Sequence, residues 1–553
     1  MQTLIRPDNG PEAAKLALKL VEWNFGSLCK QIFKSLIHHG RQSLAEVALT
    51  SGLKSPVAVK TALLVLIQQN CVRVNIHVMT NGKEEYIYEA DLPRVLHIIR
   101  IPLFLSILEQ VVPLEQRDVS RTILEIVFHH GRLTISQLIE KMKSSLSDPE
   151  AVDPGESIRK VVLDLIDRRL LERAPLCSLP PAPDTIHQKA QKKRSANRPQ
   201  DDSEEGYELA ARARIRSDHL SLRFVVEEDD LGTLKKPGKK RKREDAASHS
   251  ILWRVNFEEL NRKVYNSITI GMVRDNVGPK AAKVVEAMLF ADTSKDLGSD
   301  EGLIPIMADS SYFDYANIQK ASKEIHESPL KAAEIKDELA RWMSSNKAMS
   351  LSSQNVVDGE RSMPSLYSCI EMGESKTFTF KTTQALEVAR NSSLLAVIEK
   401  RFGSSAKRIW NMLYIGGQME QKAIATESML DNGESREVLY AMLRNGFVSL
   451  QDVPRNADRA PSRTFFTWRA TLDMASTRIS MILYRTANNL LSRMAHELES
   501  KTNTELLRRV QLVNQGRMDA SQLNASQLRK LKATVRITES ALIGIDSQIA
   551  MFS

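Results

Sequence analysis

A block of four residues that occurs twice constrains the fold of this chain more than any other feature. His38-His39-Gly40-Arg41 recurs as His129-His130-Gly131-Arg132, 91 residues further along the 553-residue sequence. In the first copy an apolar helical pattern precedes the block, and in both copies a Ser or Thr two residues later can cap another helix. Because two matching blocks follow in the same order, the sequence predicts tandem repeats of one small domain.

The residues around the first block have the order of elements of a winged helix-turn-helix. A helix that ends at Gly40 is followed by a second that Ser43 begins and a third that Ser55-Pro56 begins. The apolar period then changes to two over Val72–Val78, and an Asn-Gly turn leads into a returning strand at Tyr86–Tyr88. Three helices followed by a β-hairpin are typical of a winged helix.

Later parts of the chain predict further domains of the same kind. In the second, the wing is interrupted by a charged insertion at about residues 179–249, which is too polar to bury a core and is expected to be disordered. Near the C-terminus, apolar side chains from Leu528 to Phe552 step by three and four, which is typical of a coiled-coil seam.

The predicted fold class is therefore mainly α with small β-hairpin wings, built as four tandem winged-helix domains plus a C-terminal antiparallel coiled coil. The predicted domains are residues 1–100 (winged helix 1), 101–257 (winged helix 2 with the insertion), 258–382 (winged helix 3), 383–470 (winged helix 4) and 471–553 (coiled coil).

Composition narrows the class of protein. The chain has 77 Lys and Arg against 68 Asp and Glu, a net charge of +9, which favours a nucleic-acid or acidic partner. It contains no run of 18 apolar residues, so no spanning helix and no membrane partner are expected. The four cysteines lie far apart, without a C-x-x-C pair, which argues against a disulfide scaffold or structural zinc site and fits a reducing compartment.

Sequence motifs for catalysis are missing. There is no P-loop, no G-x-G-x-x-G and no G-x-S-x-G elbow, and His496-Glu497 begins an H-E-x-x-H pattern that lacks its second histidine. The two His pairs could suggest a metal site, but adjacent helical residues point about 100° apart, so a role at the negative end of a helix is favoured. No catalytic residue, metal or cofactor is therefore predicted.

Winged helices contact DNA through the third helix and through backbone-gripping residues of the wing. The candidate contacts to DNA or phosphate are Arg41, Lys54, Lys60, Lys83, Arg159, Lys160, Arg168 and Arg169. The alternative for each is an ordinary solvated face. The third helix of the first domain has one Lys over residues 55–70, which is poor for a reader of DNA sequence and favours a protein-docking module that also touches DNA.

Two basic clusters lie in the charged insertion. They are predicted to act as a nuclear-localisation signal, with a nucleic-acid-binding tail or a solvated linker as the alternatives. The residues concerned are Lys192, Lys193, Arg194, Lys239, Lys240, Arg241, Lys242 and Arg243.

Particular stretches of the chain resemble a known family. They are Leu92–Leu96, Arg100–Pro102, Trp253–Phe257, Phe447–Pro454 and Ala460–Phe466. In their order, with four winged helices, a charged insertion in the second wing and a C-terminal coiled coil, they resemble the third-largest subunit of DNA-directed RNA polymerase III. The likeness extends over essentially the whole chain and is weakest in the insertion and over residues 292–311.

The resemblance implies a non-catalytic subunit of RNA polymerase III in the nucleus. It implies a heterotrimer with two smaller subunits on the polymerase clamp, which supports promoter opening and initiation at genes for small RNAs such as tRNA and 5S rRNA. The implied partners are the polymerase core, the two other heterotrimer subunits, transcription factor IIIB and DNA near the cleft. The alternatives are a factor similar to transcription factor IIE, a winged-helix docking scaffold outside transcription and, more remotely, an enzyme.

Overall fold

The structure is a computed structural model that describes most of the chain. The described residues are 10–53, 55–78, 84–145, 154–174, 223–226, 251–294, 309–326, 328–353, 365–373, 377–454, 464–517 and 524–552. Lys54, Lys83, the Asn81-Gly82 turn, both basic clusters and nearly all of the predicted disordered insertion lie outside the described residues. The chain divides into two compact units: an N-terminal unit of Ala14–Lys263 with Asp292–Ile306, and a C-terminal unit of Met1–Ala13, Val264–Ala291 and Met307–Ser553.

The first part of the N-terminal unit consists of four helices and a three-stranded antiparallel sheet of order β1-β3-β2. In chain order the elements are α1 (Pro11–Phe25), α2 (Ser27–His39), β1 (Gln42–Ser43), α3 (Leu44–Thr50), α4 (Pro56–Gln68), β2 (Val72–Val78) and β3 (Glu84–Ala90). The core beneath them contains buried Phe33, Leu36, Leu63 and Leu66.

Local signals in the sequence account for these boundaries. Gly40 ends α2 with a φ of 76°, a left-handed conformation that favours glycine. The backbone N–H of Ser43 donates to Glu46 Oε2 at 2.8 Å, half of the predicted capping box of α3. The Ser55 hydroxyl caps α4 ahead of Pro56. The predicted hairpin is confirmed, because Val74 pairs with Tyr88.

The second part of the N-terminal unit repeats this arrangement. Its elements are α5 (Leu92–Val111), α6 (Arg117–His130), α7 (Ile135–Ser145), α8 (Pro154–Asp167), β4 (Leu171–Arg173) and β5 (Trp253–Val255). Strands β4 and β5 pair antiparallel although 79 residues separate them in the sequence, which confirms the predicted delayed return of the wing. Leu133 bridges to Trp253, so the order Leu133, β5, β4 matches β1-β3-β2 of the first part.

The C-terminal unit is again mainly helical. Its elements, of which the first helix begins in the N-terminal unit, are α9 (Phe257–Asn276), α10 (Pro279–Ser294), α11 (Tyr315–Ile325), α12 (Ala332–Ser353), β6 (Ile370–Met372), β7 (Phe378–Phe380), α13 (Thr382–Phe402), α14 (Ser404–Gly416), β8 (Gln418–Glu420), α15 (Gln421–Glu427), α16 (Asn432–Arg444), β9 (Ser449–Pro454), β10 (Thr464–Arg469), α17 (Leu472–Glu499), α18 (Lys501–Asn514) and α19 (Ala525–Phe552). One core surrounds Phe313 and Phe380, and another surrounds Trp410 and Trp468.

Two features of the C-terminal unit differ from a simple interpretation of the sequence. The helical pattern over residues 257–290 is two helices, because the chain turns at Gly278, which has a φ of 135°. The helix that follows β10 breaks at Ser500, so that a further helix, α18, precedes the turn at Gln515-Gly516.

The long C-terminal helices present the predicted apolar seam. The eight seam positions from Leu528 to Phe552 are all buried or half-buried. The Ser480 hydroxyl, near the start of α17, donates to the carbonyl of Phe552, at the end of α19. Whether the pair forms a coiled coil stays a prediction. The mainly helical fold with small antiparallel sheets is confirmed. None of the described helices is long and apolar enough to cross a membrane.

Candidate nucleic-acid and docking surfaces

Helix α4 is the third helix of the first winged-helix repeat, which begins at α2. Its outer face is apolar. Val57 is 72% exposed and Leu64 is 66% exposed, and Lys60 and Thr61 lie between them, also exposed. Exposed aliphatic side chains on one helix face gain free energy when another apolar surface covers them, whereas a single Lys gives little attraction to phosphates. The outer face of α4 is therefore suited to contact with a protein.

A groove of about 890 Å³ continues this face toward the second repeat. Leu64 and Gln68 line one wall, and Gln137 and Lys141 of α7 line the other. Burial, the nearby Lys141 ammonium and His129 lower the pKa of His130, which also borders the groove. The groove thus combines aliphatic surface with side-chain amides and an imidazole whose pKa is lowered.

Helix α8 has the corresponding place in the second repeat, whose three helices are α6, α7 and α8. Its outer face is charged. Lys160 is exposed and lies 3.7 Å from Glu156 on the preceding turn. Arg159 beside it is half-buried. Such an exposed ion pair contributes little to stability, so Lys160 can exchange Glu156 for a phosphate at small cost. Of the predicted phosphate contacts, Lys60 and Lys160 are the two lysines that the described residues place on exposed helix faces.

Three arginines of the predicted set, Arg41, Arg168 and Arg169, make intramolecular contacts, whereas the buried Nε of Arg159 has no hydrogen-bond partner among the described residues. Arg41 Nε donates to Glu89 Oε2 at 3.2 Å on the exposed surface. Arg168 donates to Asp164 Oδ2 at 2.8 Å and to the carbonyl of Val111 at 3.1 Å. The chain at Arg169 turns with a φ of 59°, which ends α8 in the way that a glycine would. Arg168 thus has a structural role that its sequence position does not reveal.

The second copy of the repeated block, residues 129–132, is a contact between the two repeats. Gln68 Nε2 donates to the carbonyls of His130 at 2.9 Å and Arg132 at 2.6 Å. Gln69 Nε2 donates to the carbonyl of His129 at 3.0 Å. Side-chain amides from the end of α4 therefore bind the carbonyls at and just after the end of α6, where the His130 carbonyl also accepts from the backbone N–H of Arg132 at 3.0 Å. Sequence reasoning missed this role of the Gln68-Gln69-Asn70 run, because amides have no periodic pattern.

A buried charge cluster lies next to this contact. Glu172 on β4 is 1% exposed, and its Oε1 accepts from Arg254 Nε at 2.8 Å. Arg94 lies 3.8 Å from the same carboxylate, and its guanidinium stacks over the Phe257 ring at 4.4 Å. Burial alone would raise the pKa of Glu172, but the guanidiniums of Arg254, Arg223 and Arg94 hold it below its usual value. The stretches Leu92–Leu96 and Trp253–Phe257, which are far apart in the sequence, thus meet around one carboxylate.

The wing of the C-terminal unit is the second exposed apolar surface. Phe465 and Phe466 of β10 are 39% and 47% exposed, and Val453 pairs with Phe465 across the hairpin. Successive residues of a strand point to opposite faces, so this wing presents an aromatic ring on each side. Aromatic side chains of this kind are enriched at the energetic centres of protein interfaces.

No group of three His, Cys, Asp or Glu side chains is arranged to hold a metal ion among the described residues. The three described cysteines, Cys29, Cys71 and Cys369, are buried and free. Burial raises the pKa of Cys71 and of Cys369 to about 12, which keeps both thiols protonated and unreactive.

Three family models match successive stretches of the chain. The RNA polymerase III subunit RPC82 helix-turn-helix domain matches residues 15–73. The model of RNA polymerase III subunit RPC82 matches residues 160–341. The POLR3C C-terminal winged-helix domain matches residues 394–470, which include the aromatic wing.

Two of the curated relatives described here match along almost the whole chain, and a third matches a shorter stretch. DNA-directed RNA polymerase III subunit RPC3 of Bos taurus is 23% identical over 545 residues, which cover 95% of this chain and 92% of the relative. The subunit of the same name from Mus musculus is 24% identical over 546 residues, with the same shares. The subunit rpc3 of Aspergillus fumigatus is 32% identical over 121 residues, which cover 22% of this chain and 19% of the relative.

Proposed function

The chain belongs to the family of the RNA polymerase III subunit RPC3, also named RPC82, and from that premise we propose that it is a non-catalytic docking subunit of that polymerase. In this proposal it joins two smaller subunits in a heterotrimer on the clamp. There it supports promoter opening and initiation at tRNA and 5S rRNA genes, in contact with transcription factor IIIB and with DNA near the cleft. The catalytic metal belongs to other subunits.

The proposed architecture is four tandem winged helices, with the domain limits given above, and a C-terminal antiparallel coiled coil. Supporting it are the matching sheet orders of the two N-terminal repeats and the buried seam along α19. The basic clusters of the insertion are proposed to direct the chain to the nucleus.

The apolar outer face of α4 is the observation that supports the docking role most directly. A helix that reads DNA needs several phosphate and base contacts, and such contacts come from Arg, Lys and amide side chains. Here Val57 and Leu64 occupy the position of those side chains and are 72% and 66% exposed. Contact with DNA is then left to residues outside that face, of which Lys160 on α8 is exposed.

Affinity purification of the tagged full-length chain tests this division of roles. We expect the double substitution Val57→Asp and Leu64→Asp to reduce recovery of the polymerase core at least tenfold, because it places two charges in an apolar contact. The matched control is Lys160→Ala on the outer face of α8. It should leave recovery of the core unchanged and weaken crosslinking of the assembled enzyme to promoter DNA.

The opposite pattern would contradict the proposal. If Lys160→Ala released the core while the double Asp variant kept it, docking would depend on the charged face of α8 and not on α4. If the wild-type chain recovered no polymerase subunits at all, the polymerase role itself would be wrong, whatever the α4 variants did.

A further inference from the structure

A four-residue piece of the charged insertion, Arg223–Val226, packs against the second wing. It lies between the two strands of that wing in the sequence, 49 residues after Ala174 and 25 residues before Ile251. The carbonyl of Arg223 accepts a hydrogen bond from the backbone N–H of Arg173 at 2.9 Å. Since β4 pairs with β5 through its other edge, Arg223 covers the outer edge of the wing.

The Arg223 side chain enters a site of preformed acceptors. Its Nε donates to Glu172 Oε2, and its Nη2 donates to Asn256 Oδ1 at 3.1 Å and to Glu258 Oε2 at 2.9 Å. The side chain is only 12% exposed. Three directional acceptors around one planar guanidinium make the arrangement specific for arginine, because a lysine ammonium cannot satisfy them in one plane.

Neighbouring groups hold this site in place. Asn256 Nδ2 donates to the carbonyl of Arg169 at 2.9 Å, which leaves its Oδ1 oriented toward Arg223. The guanidinium of Arg169 lies 5.2 Å from the Phe224 ring, a cation–π contact with the residue that follows Arg223. Glu172 is fixed from its other oxygen by Arg254. Glu172 and Asn256 are therefore held by contacts other than those to Arg223, whereas the exposed Glu258 closes the site from the solvent side.

We propose that Glu172, Asn256 and Glu258 form an arginine-binding site on the second wing, occupied within the same chain by Arg223. Binding there anchors the insertion near its middle. In the sequence, the basic cluster Lys192–Arg194 precedes the anchor and the cluster Lys239–Arg243 follows it. This inference is independent of the polymerase role.

Limited proteolysis of the full-length chain by trypsin tests the anchor. Trypsin cuts after an arginine only when the side chain enters its own specificity pocket, so an Arg223 side chain bound to Glu172 is protected. We expect the rate of cleavage between Arg223 and Phe224, followed by mass spectrometry, to rise at least tenfold in Glu172→Gln. The matched control is Glu156→Gln, an exposed glutamate on α8, which should leave that rate unchanged. Equal rates in the wild type and in Glu172→Gln would overturn the proposal.

A second variant keeps the test decisive if Glu172→Gln disturbs folding. Arg223→Gln leaves Glu172 paired with Arg254 and Arg94, so the wing should stay folded. Its expected signature is at least tenfold faster hydrogen exchange at the Arg173 amide, because the Arg223 carbonyl no longer accepts from it. The amides that join β4 to β5 should keep their protection. Unchanged exchange at Arg173 would show that Arg223 does not hold the insertion to β4.

Discussion

The two copies of the His-His-Gly-Arg block have the same sequence but different surroundings. In the first copy His38, His39, Gly40 and Arg41 are all exposed. In the second copy Gly131 is buried, and the carbonyls around it accept the amides at the end of α4. The identical residues end a helix in both places, since Gly40 and Gly131 have φ values of 76° and 77°. The block therefore fixes a local helix end, while the preceding repeat decides whether that end becomes an interface.

Replacing each glycine by alanine should separate the helix-ending role from the interface role. Of the predictions made here, it should have the largest effect on stability. Both substitutions impose a left-handed backbone on alanine, which costs about 1–2 kcal/mol. At Gly131 the added Cβ would also lie 2.1 Å from the carbonyl oxygen of Gln68, whereas at Gly40 it would meet nothing within 4 Å. We expect Gly131→Ala to lower the free energy of unfolding by about 3 kcal/mol or more beyond Gly40→Ala, measured by urea titration of the full-length chain. Equal losses would mean that the end of α4 moves away from the added Cβ at no measurable cost in stability.

The amide contacts should give the next largest effect. Gln68→Ala removes two hydrogen bonds, and at about 0.5–1.5 kcal/mol for each we expect a loss of about 1–3 kcal/mol. Gln69→Ala removes one bond and should cost about half as much. The control is Gln31→Ala on the exposed face of α2, which should be nearly neutral in the same titration. A loss at Gln31 as large as at Gln68 would argue that helix propensity, and not the contact, is being measured.

The two blocks also show which parts of the structure are determined by residues that are close together in the sequence. Helix ends at Gly40 and Gly131, the Ser43 cap and the hairpin register follow from residues a few positions apart, and all were predictable. The delayed strand at Trp253 was predictable because its apolar alternation survives a long insertion.

Contacts between distant residues could not be predicted in this way. Gln68 and Arg132 are 64 positions apart, and Glu172 and Arg254 are 82 positions apart, with no repeating pattern that pairs them. For the same reason basic character alone did not separate Arg168, whose donors are used by Asp164 and Val111, from Lys160, whose ammonium is exposed. Exposure and pairing of a side chain depend on which elements pack together, and that is tertiary information.

The smallest expected effect concerns protonation of the second block. Burial, Lys141 and His129 lower the pKa of His130 in the folded chain, so the folded state binds fewer protons there than the unfolded state. Stability from this group is present above the unfolded pKa of about 6.5 and is lost as pH falls through the folded value. We expect the free energy of unfolding to decrease between pH 7.5 and 5.5 by less than about 1 kcal/mol from His130, because its ring is mostly solvated. His130→Gln should remove this part of the pH dependence, and His39→Gln, the same substitution in the first block, should retain it. If both variants flattened the pH dependence equally, the exposed and the docked copies would be electrostatically equivalent, and the distinction between them would be one of packing alone.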